Sequence, residues 1–189
     1  MLFRSIGDTW WGAYADYVVV DGSQLIPLDD DISFEDAACL PVAYGTAHRM
    51  MVTRGEVSAD DTVLILGASG GVGTSALMIA KQRGARVVAA AGSDDKCQRL
   101  ADLGADETLN YNEVDFQRYC REHTGSLFSG GGYDVVVNFT GGDTWAPSLK
   151  CVKLGGRLLT CGATAGFDPP TDLRFIWTAE MDKIGRAHV

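Results

Sequence analysis

The pattern of apolar and polar positions along the chain changes near residue 62. From there, short continuous apolar runs alternate with segments in which apolar residues recur at helical spacing. The apolar runs predict buried strands at residues 62–66, 86–91, 108–111, 133–138 and 157–161. The helical spacing predicts helices at residues 73–83, 94–103, 115–124 and 144–154. Strands and helices that alternate in this way form a parallel sheet with right-handed crossovers, so we predict a doubly wound α/β fold.

Ahead of residue 62 the signals are weaker and more varied. Residues 14–20 are β-branched and aromatic and predict a strand. Ser33 precedes acidic residues, a pattern typical of a helix N-cap, and predicts a helix that runs toward Leu40. Pro41 is expected to end or kink that helix, and residues 46–53 predict another one.

The sequences at the two ends of the chain indicate that these end residues are foreign to the protein. Residues 183–189 can be back-translated as AAG ATC GGA AGA GCA CAC GTC, and residues 1–5 as GTG CTC TTC CGA TCT. The two stretches contain reverse complements of each other and resemble a sequencing-library adapter, so we expect both ends to be adapter-derived. The sixth strand of the fold is expected near residues 179–182, cut short there. Codons that depart from the adapter at either end would contradict this prediction.

The composition indicates a soluble globular protein. The chain has 189 residues, of which 46% are apolar and 22% charged, enough for a packed core. Its 25 acidic residues outnumber the 16 Lys and Arg, and the net charge of −9 argues against binding a nucleic-acid backbone. No apolar run approaches the ~20 residues of a membrane span, and no signal pattern is present. We therefore expect a cytoplasmic location without membrane or nucleic-acid partners.

A glycine-rich turn joins the first of the alternating strands to its helix. It reads Gly-Ala-Ser-Gly-Gly-Val-Gly at residues 67–73, in the context that a dinucleotide fingerprint requires. A pyrophosphate binds where backbone amides converge at a helix N-terminus. Gly70 allows the backbone to approach it, and Gly73 allows the helix to lie close to the strand. Ala68 stands at the first glycine of G-x-G-x-x-G, so the alternative of an ordinary tight turn remains open.

The tip of the second strand bears on which dinucleotide binds. An acid at this point, about 20 residues beyond the glycine turn, binds the ribose 2′-hydroxyl of NAD. Here the strand ends in alanines followed by Gly92 and Ser93, with no carboxylate at its tip. Ser93 can donate a hydrogen bond and Lys96 can neutralise a phosphate, which favours NADP(H) over NAD(H). Asp94 and Asp95 leave two alternatives: they bind ribose hydroxyls, or they supply first-turn charge to a helix.

Several segments together resemble the medium-chain dehydrogenase/reductases, the superfamily of zinc alcohol dehydrogenases and quinone oxidoreductases. The likeness is carried by a G-x-[AY]-A-[ED]-Y strand, a junction helix, a strand with its GxxGGVG turn, and a GGRhhhhG strand. In chain order these segments occupy residues 12–18, 37–47, 63–73 and 155–162. The resemblance implies that residues 6–40 are the tail and junction of a GroES-like, β-rich catalytic domain. It implies that residues 41–182 form an NAD(P)-binding Rossmann domain.

The resemblance also implies which residues hold the cofactor. The glycine turn would contact the pyrophosphate, and a Lys and a Tyr after the second and third strands would hold a 2′-phosphate. The junction threonine and the last strand ends would flank the nicotinamide half. Transferred residue by residue, these are Ser69, Gly70, Gly71, Val72 and Gly73; Lys96 and Tyr111, beside Ser93; and Thr46, Phe139, Thr140, Gly162, Ala163 and Thr164. Tyr111 as an ordinary strand-end aromatic and Thr46 as a helix cap remain alternatives.

No metal site is expected in this chain. Its five cysteines are widely spaced, without a C-x-x-C pair. Zinc-dependent members of the superfamily have a zinc-binding cysteine in the junction helix, at the position where this chain has Val42, and Cys39 lies three residues away. His48 is interpreted as a helix residue near the junction rather than a ligand. The sequence therefore favours a zinc-independent parent, and zinc in a full-length parent is left open.

The resemblance implies an oxidoreductase. It would transfer hydride between a nicotinamide, NADPH for preference, and a small quinone, enone or alkenal, or an alcohol or carbonyl substrate. Catalytic residues stay unassigned, because no nucleophile with a base and no paired carboxylates stand out, and the fragment itself is expected to be inactive. A zinc-dependent alcohol dehydrogenase and a dinucleotide-binding module without catalysis are the alternatives. The superfamily further implies a homo-oligomer formed through the Rossmann domain.

Overall fold

A parallel six-stranded sheet is the centre of the molecule, in a computed structural model that describes residues 14–181 and 185–186. The strand order is β3-β2-β1-β4-β5-β6. The strands are β1 (Thr62–Leu66), β2 (Arg86–Ala91), β3 (Glu107–Asn110), β4 (Tyr133–Val137), β5 (Val152–Thr160) and β6 (Gly185–Arg186). The helices are α1 (Phe34–Cys39), α2 (Gly45–His48), α3 (Gly71–Gln82), α4 (Asp94–Asp102), α5 (Phe116–Thr124), α6 (Trp145–Leu149) and α7 (Arg174–Thr178).

Apolar side chains are buried on both faces of the sheet. Val63 and Ile65 of β1 belong to one buried cluster, which also contains residues of α2, α3 and α4 or their flanks. Leu64 and Leu66 point to the other face and pack with side chains of α5 and α6. Successive residues of a strand face opposite sides, so a strand covered on both sides is apolar throughout. The doubly wound α/β fold predicted from the apolar runs is confirmed.

Local capping signals fixed most helix ends as predicted. The side chains of Ser33 and Ser93 accept hydrogen bonds from the first turns of α1 and α4. Gly84 and Gly104 follow α3 and α4 with φ of +84° and +99°, conformations that favour glycine. The bounds of β1 and β2 agree with the prediction, whereas α3 begins two residues earlier than predicted, at Gly71.

The predicted helix at residues 144–154 is wrong beyond Leu149. The strand β5 already begins at Val152, which pairs with Tyr133 of β4. The next paired position on β5 is Arg157, so the strand bulges in between, at a point where Gly155 has φ of +70°. The spacing of apolar residues cannot show this, because Val152 fits a helix and a strand equally well.

The predicted strand at residues 14–20 is also wrong. The stretch is irregular and pairs with no strand among the described residues. Its large side chains, such as Tyr14, Tyr17 and Val19, are exposed. β-Branched and aromatic residues favour a strand only where a neighbouring strand and a core receive them. The prediction that residues 6–40 are the tail of a β-rich domain stays a prediction, and its first motif residues lie outside the described part.

Pro41 does not end the helical segment, although the α-helical geometry of α1 gives way to a wider turn there. It lies in a π-helical turn, Leu40–Tyr44, that connects α1 to α2, and a second π-helical turn, Arg49–Arg54, follows α2. A wider turn accommodates a residue that has no amide hydrogen to donate. The helix predicted at residues 46–53 therefore continues from α1 instead of starting anew.

The last strand does not lie at residues 179–182 as predicted. Glu180 has φ of +48° and the Met181 amide donates to the Ile176 carbonyl (3.1 Å), which turns the chain after α7. The strand β6 follows, and its two described residues pair with β5. The sixth strand therefore lies beyond the predicted residues, and its truncation stays a prediction. The foreign origin of residues 1–5 and 183–189 falls outside the described residues, apart from the backbone of β6, and stays a prediction.

Arg157 ties β5 to the segment that precedes β1. Its guanidinium forms an ion pair with Asp61 and donates to the backbone carbonyls of Gly55 and Glu56. Asp61 is buried and also accepts a hydrogen bond from the Ser58 amide (2.7 Å). The arginine of the GGR segment therefore has a structural role, at the opposite edge of the sheet from the glycine turn.

Candidate functional site

The predicted cofactor residues lie mainly at the carboxyl ends of the strands. In a parallel sheet these ends share one edge, so segments that are distant in sequence meet there. The strand β1 lies between β2 and β4, and the order of the strands along the chain reverses between β1 and β4. Open α/β sheets bind ligands in the crevice at such a switch point. The glycine turn follows β1 directly and lies at this crevice.

The glycine turn packs tightly against the start of α3. The Gly70 amide donates to the Gly67 carbonyl (3.1 Å), and Gly67 has φ of +67°. A Cβ at Gly73 would lie 2.6 Å from the Ala68 Cα, so only glycine lets α3 approach the turn this closely. Ala68 itself is buried in the core, and its amide donates to the Ala90 carbonyl (2.9 Å). Its methyl group therefore fills the core, and this explains why alanine is tolerated at the first glycine position.

The N-terminus of α3 is open to an anion. Gly70 is the N-cap and has no side chain that could accept from the amides of the first turn, which contains no acidic residue. The amides of Gly71, Val72 and Gly73 therefore lack an intrahelical acceptor and lie at the positive end of the helix dipole. Ser69 and Gly70 are exposed, and a Cβ at Gly70 would meet nothing closer than 3.6 Å. This cradle fits a pyrophosphate.

The loops after β4 and β5 are joined beside the glycine turn. A Cβ at Gly67 would lie 3.2 Å from the Phe139 ring and 3.3 Å from Thr140 Oγ1. The Ala165 amide donates to the Thr140 carbonyl (2.7 Å), and the Thr164 amide donates to the Phe139 carbonyl (3.4 Å). The structure thus brings together the predicted group of Phe139, Thr140, Gly162, Ala163 and Thr164 at the switch point.

The predicted adenosine-side residues also meet at the tip of β2. Ser93 caps α4 by accepting a hydrogen bond from the Lys96 amide (3.4 Å). A Cβ at Gly92 would lie 2.9 Å from the Tyr111 hydroxyl, so the Tyr111 ring packs against this tip. Lys96 is exposed, and its ammonium has no ion-pair partner within residues 14–181. The Ser93 hydroxyl and the Tyr111 phenol therefore lie at this tip, and Lys96 follows in the first turn of α4.

Asp94 is held by a neighbouring side chain. Asn110 Nδ2 donates to Asp94 Oδ1 (2.8 Å), and Asn112 Nδ2 donates to the Gly92 carbonyl (2.8 Å). Asp94 and Asp95 both lie in the first turn of α4, where their charge favours the helix dipole. This arrangement supports the second alternative given by the sequence, in which these carboxylates stabilise α4.

Thr46 lies on the junction helix and is buried. This helix packs against α3, and a Cβ at Gly71 would lie 3.4 Å from Ala43 Cβ, three residues before Thr46. The junction helix therefore borders the glycine turn. Thr46 does not cap a helix, because it lies inside α2, so that alternative is wrong.

Asn138 is the residue at this edge that the sequence analysis missed. It follows β4 directly and is fully buried. Its Oδ1 accepts from the amides of Thr140 (2.9 Å) and Gly141 (3.0 Å). Its Nδ2 donates to Ser148 Oγ (2.7 Å) and Thr144 Oγ1 (3.1 Å). The available signal was a single amide at the end of an apolar run, which sequence alone does not distinguish from a turn residue.

The Cys161 thiol lies at the end of β5, where the candidate cofactor residues meet. Burial raises the pKa of the Cys161 thiol, next to Gly162, to about 11, so the thiol is protonated and weakly nucleophilic at neutral pH.

A depression of about 550 Å³ lies at the other end of α3, lined by His48, Ile79 and Arg83 among others, far from the glycine turn. The cofactor edge and not this depression carries the candidate site.

Cys39, Val42 and His48 all lie on the helical segment that begins at α1. Cys39 and His48 are exposed on the helical segment. Within the described ranges, no three His, Cys, Asp or Glu side chains are grouped as metal ligands. The zinc dependence of a longer parent stays a prediction.

The fold and the cradle at the switch point define a dinucleotide-binding domain of the doubly wound, Rossmann type. Comparison with known families narrows this class. The profile of the zinc-binding dehydrogenases matches residues 71–186, and the chain belongs to that family, within the medium-chain dehydrogenase/reductase superfamily. The resemblance found in the sequence is thereby confirmed.

Relatives of several activities share this fold. A quinone oxidoreductase-like protein 2 of Bos taurus is 33% identical, over 86% of this chain and 46% of its own length. A solved NAD-dependent alcohol dehydrogenase superposes with a TM-score of 0.84 at 37% identity, over 94% of this chain and 51% of its own. A 2-octenoyl-CoA carboxylase reductase in complex with NADP and 2-octenoyl-CoA gives 0.76 at 30% identity, over 86% and 40%. The chain thus spans about half the length of the curated relatives it matches.

Among the helices of residues 14–181, none combines the length and the apolar composition of a membrane span.

Proposed function

We propose that this chain is the cofactor-binding part of an NAD(P)-dependent reductase that prefers NADPH. Its substrate would be a small quinone, enone or alkenal, or a carbonyl compound and its alcohol. The observation that carries the proposal is the convergence of the α3 N-terminus, the tip of β2 and the joined loops after β4 and β5 at one edge. Each region provides what one portion of a nicotinamide dinucleotide requires.

When bound, the nicotinamide supplies the hydride chemistry, and this chain binds and orients the cofactor. The amides at Gly71, Val72 and Gly73 would hold the pyrophosphate by hydrogen bonds and the helix dipole. Phe139, Thr140 and the segment at residues 162–164 would flank the nicotinamide half and keep water away from one of its faces.

The preference for NADPH rests on charge at the tip of β2. A 2′-phosphate needs a cation and hydrogen-bond donors, and Lys96, Ser93 and Tyr111 provide them there. The Asp94 carboxylate accepts a hydrogen bond from Asn110 and lies in the first turn of α4, where it stabilises the helix. A solved relative holds NADP, which supports this preference, whereas the NAD-dependent alcohol dehydrogenase shows that the fold also accommodates NAD.

The proposal is tested by titrating the chain with NADPH and with NADH. Binding is monitored by energy transfer from tryptophan to the reduced nicotinamide. We expect NADPH to bind at least ~10-fold tighter than NADH, a difference of ~1.4 kcal/mol. Lys96→Ala should lower the affinity for NADPH about tenfold and leave that for NADH unchanged, since one cation to a phosphate contributes roughly that much.

Lys150→Ala is the matched control. It removes an exposed cation at the far end of α6, where the chain returns to the amino edge of the sheet. Equal affinities for NADPH and NADH in the unmodified chain would contradict the preference. An equal effect of Lys96→Ala and Lys150→Ala would show that only the overall charge matters.

A binding module without turnover is the second candidate, because no described constellation offers catalytic acid–base groups. Steady-state NADPH oxidation with a quinone or an enone distinguishes the two candidates. Binding of NADPH with no oxidation above the background favours the module, and turnover favours the reductase. A zinc-dependent alcohol dehydrogenase would instead require ligands outside the described residues, and metal analysis of the full-length protein tests it.

A further inference from the structure

Asn138 uses every hydrogen-bonding position of its side chain. Oδ1 accepts from two successive backbone amides, those of Thr140 and Gly141, and Nδ2 donates to two hydroxyls, those of Thr144 and Ser148. An amide side chain offers two acceptor and two donor positions, so none is left over. Because the residue is fully buried, each of these bonds replaces one that water would otherwise make.

The hydroxyl partners of Asn138 are themselves fixed. Ser148 Oγ donates to the Thr144 carbonyl (2.7 Å), and Thr144 Oγ1 donates to the Gly141 carbonyl (2.7 Å). The network therefore links the first turn of α6 to the peptide that follows Thr140. The loop at residues 139–142 is therefore bonded both by Asn138, which precedes it, and by Thr144, which follows it.

The loop that this network contacts contains two successive glycines with positive φ. Gly141 and Gly142 have φ of +68° and +50°. A Cβ at Gly141 would lie 2.5 Å from the Gly166 carbonyl oxygen, where the loops after β4 and β5 meet. Glycine adopts positive φ without strain but has more accessible backbone conformations than any other residue, so the hydrogen bonds from Asn138 and Thr144 restrict this loop to one of them.

We propose that Asn138 is a positioning residue for the nicotinamide half of the dinucleotide. It acts through the backbone of residues 139–142, which its Oδ1 holds beside the glycine turn, and it does not touch the cofactor itself. The inference rests on the proposed function and adds the residue that sets this part of the site.

The inference distinguishes the two halves of the cofactor. Asn138 has no contact with the tip of β2, where Lys96 and Tyr111 lie on the far side of β1 in the strand order. A change at Asn138 should therefore weaken the binding of NADPH and leave the binding of adenosine 2′,5′-bisphosphate intact. A general loss of stability would affect both ligands alike.

The experiment measures the affinities of the 189-residue chain for NADPH and for adenosine 2′,5′-bisphosphate by calorimetry. In Asn138→Ala the amides of Thr140 and Gly141 lose their acceptor, and we expect at least a ~10-fold loss for NADPH with less than a ~2-fold change for the bisphosphate. In Asn138→Asp a carboxylate can still accept from both amides but loses the donor to Thr144 and Ser148, so NADPH affinity should recover in part and exceed that of Asn138→Ala. Val136→Ala is the control for stability. It truncates a buried side chain of β4 two residues before Asn138 and should change neither affinity.

Thr144→Val keeps the proposal testable if Asn138→Ala does not fold. It removes a hydroxyl that bonds both Asn138 and the Gly141 carbonyl while retaining the size of the side chain, and it should lower only NADPH affinity, by ~3-fold. Parallel losses for both ligands would overturn the inference. So would a full NADPH affinity in Thr144→Val and Asn138→Ala, or equal affinities of the two ligands for the unmodified chain. If the bisphosphate fails to bind at all, the proposed function fails as well, and the two failures are thereby distinguished.

Discussion

Gly70 and Gly73 lie three residues apart in the glycine turn, and the structure assigns them separable roles. A Cβ at Gly73 would lie 2.6 Å from the Ala68 Cα and 2.7 Å from its carbonyl carbon and oxygen. A Cβ at Gly70 would find its nearest neighbour at 3.6 Å, in a backbone conformation (φ −80°, ψ 167°) that alanine adopts freely. Gly73→Ala should therefore damage the fold, and Gly70→Ala should damage only the binding of an anion.

The size of the effect at Gly73 follows from the missing space. Carbon atoms pack at about 3.5–4.0 Å, so the new methyl group is roughly one ångström too close to rigid backbone. Overpacking of this kind costs ~1–3 kcal/mol. Three rigid backbone atoms are approached, so the cost lies at the upper end of this range; alanine inside a helix returns ~0.5–1 kcal/mol relative to glycine, which leaves a net loss of ~2 kcal/mol. For a chain of this size the melting temperature should fall by roughly 2–8 °C.

Thermal and urea unfolding followed by circular dichroism measure the stability of both variants, and NADPH titration measures binding. Gly70→Ala should unfold within ~0.5 kcal/mol of the unmodified chain. Its methyl group would occupy the space that a pyrophosphate needs, so its NADPH affinity should fall at least ~10-fold. A Gly73→Ala variant as stable as the unmodified chain would refute the close approach of α3 to the turn. Unchanged NADPH binding in Gly70→Ala would refute the cradle.

Two further predictions concern ion pairs at the opposite edge of the sheet. Arg157→Met leaves the buried carboxylate of Asp61 without its cation and should lower the free energy of unfolding in urea by ~2–3 kcal/mol. This is less than the ~3–5 kcal/mol of a fully buried pair, because the guanidinium is partly exposed. Adding Asp61→Asn to Arg157→Met should recover part of the loss. Partial burial raises the pKa of Asp134, but the Thr62 amide and the Lys153 ammonium together bring it below its ordinary 3.8. The ionised carboxylate therefore stabilises the fold above about pH 4, and this contribution is lost as the pH falls through the lowered pKa, so Asp134→Asn should show a shallower acid limb in stability measured against pH.

Sequence patterns located the elements whose causes are local. The strands β1 and β2 are continuous apolar runs ended by glycine or a helix cap, and their bounds were predicted without error. Ser93 and Gly84 mark helix ends through hydrogen bonds and conformations that involve only neighbouring residues. The glycine turn was recognised for the same reason, because its conformation depends on a strand, a turn and a helix that follow one another in the chain.

The sequence by itself thus determined the fold class, the family and the position of the cradle. The tertiary structure alone decided where β5 begins, that residues 14–20 form no strand, and which polar groups the ends of the strands hold. The bulge in β5 depends on pairing with β4, and the role of Asp94 depends on the hydrogen bond from Asn110. The role of Asn138 depends on hydrogen-bond partners in the following loop and in α6. Buried hydrogen bonds and strand pairing are set by which segments meet in space, and spacing along one segment cannot contain that information.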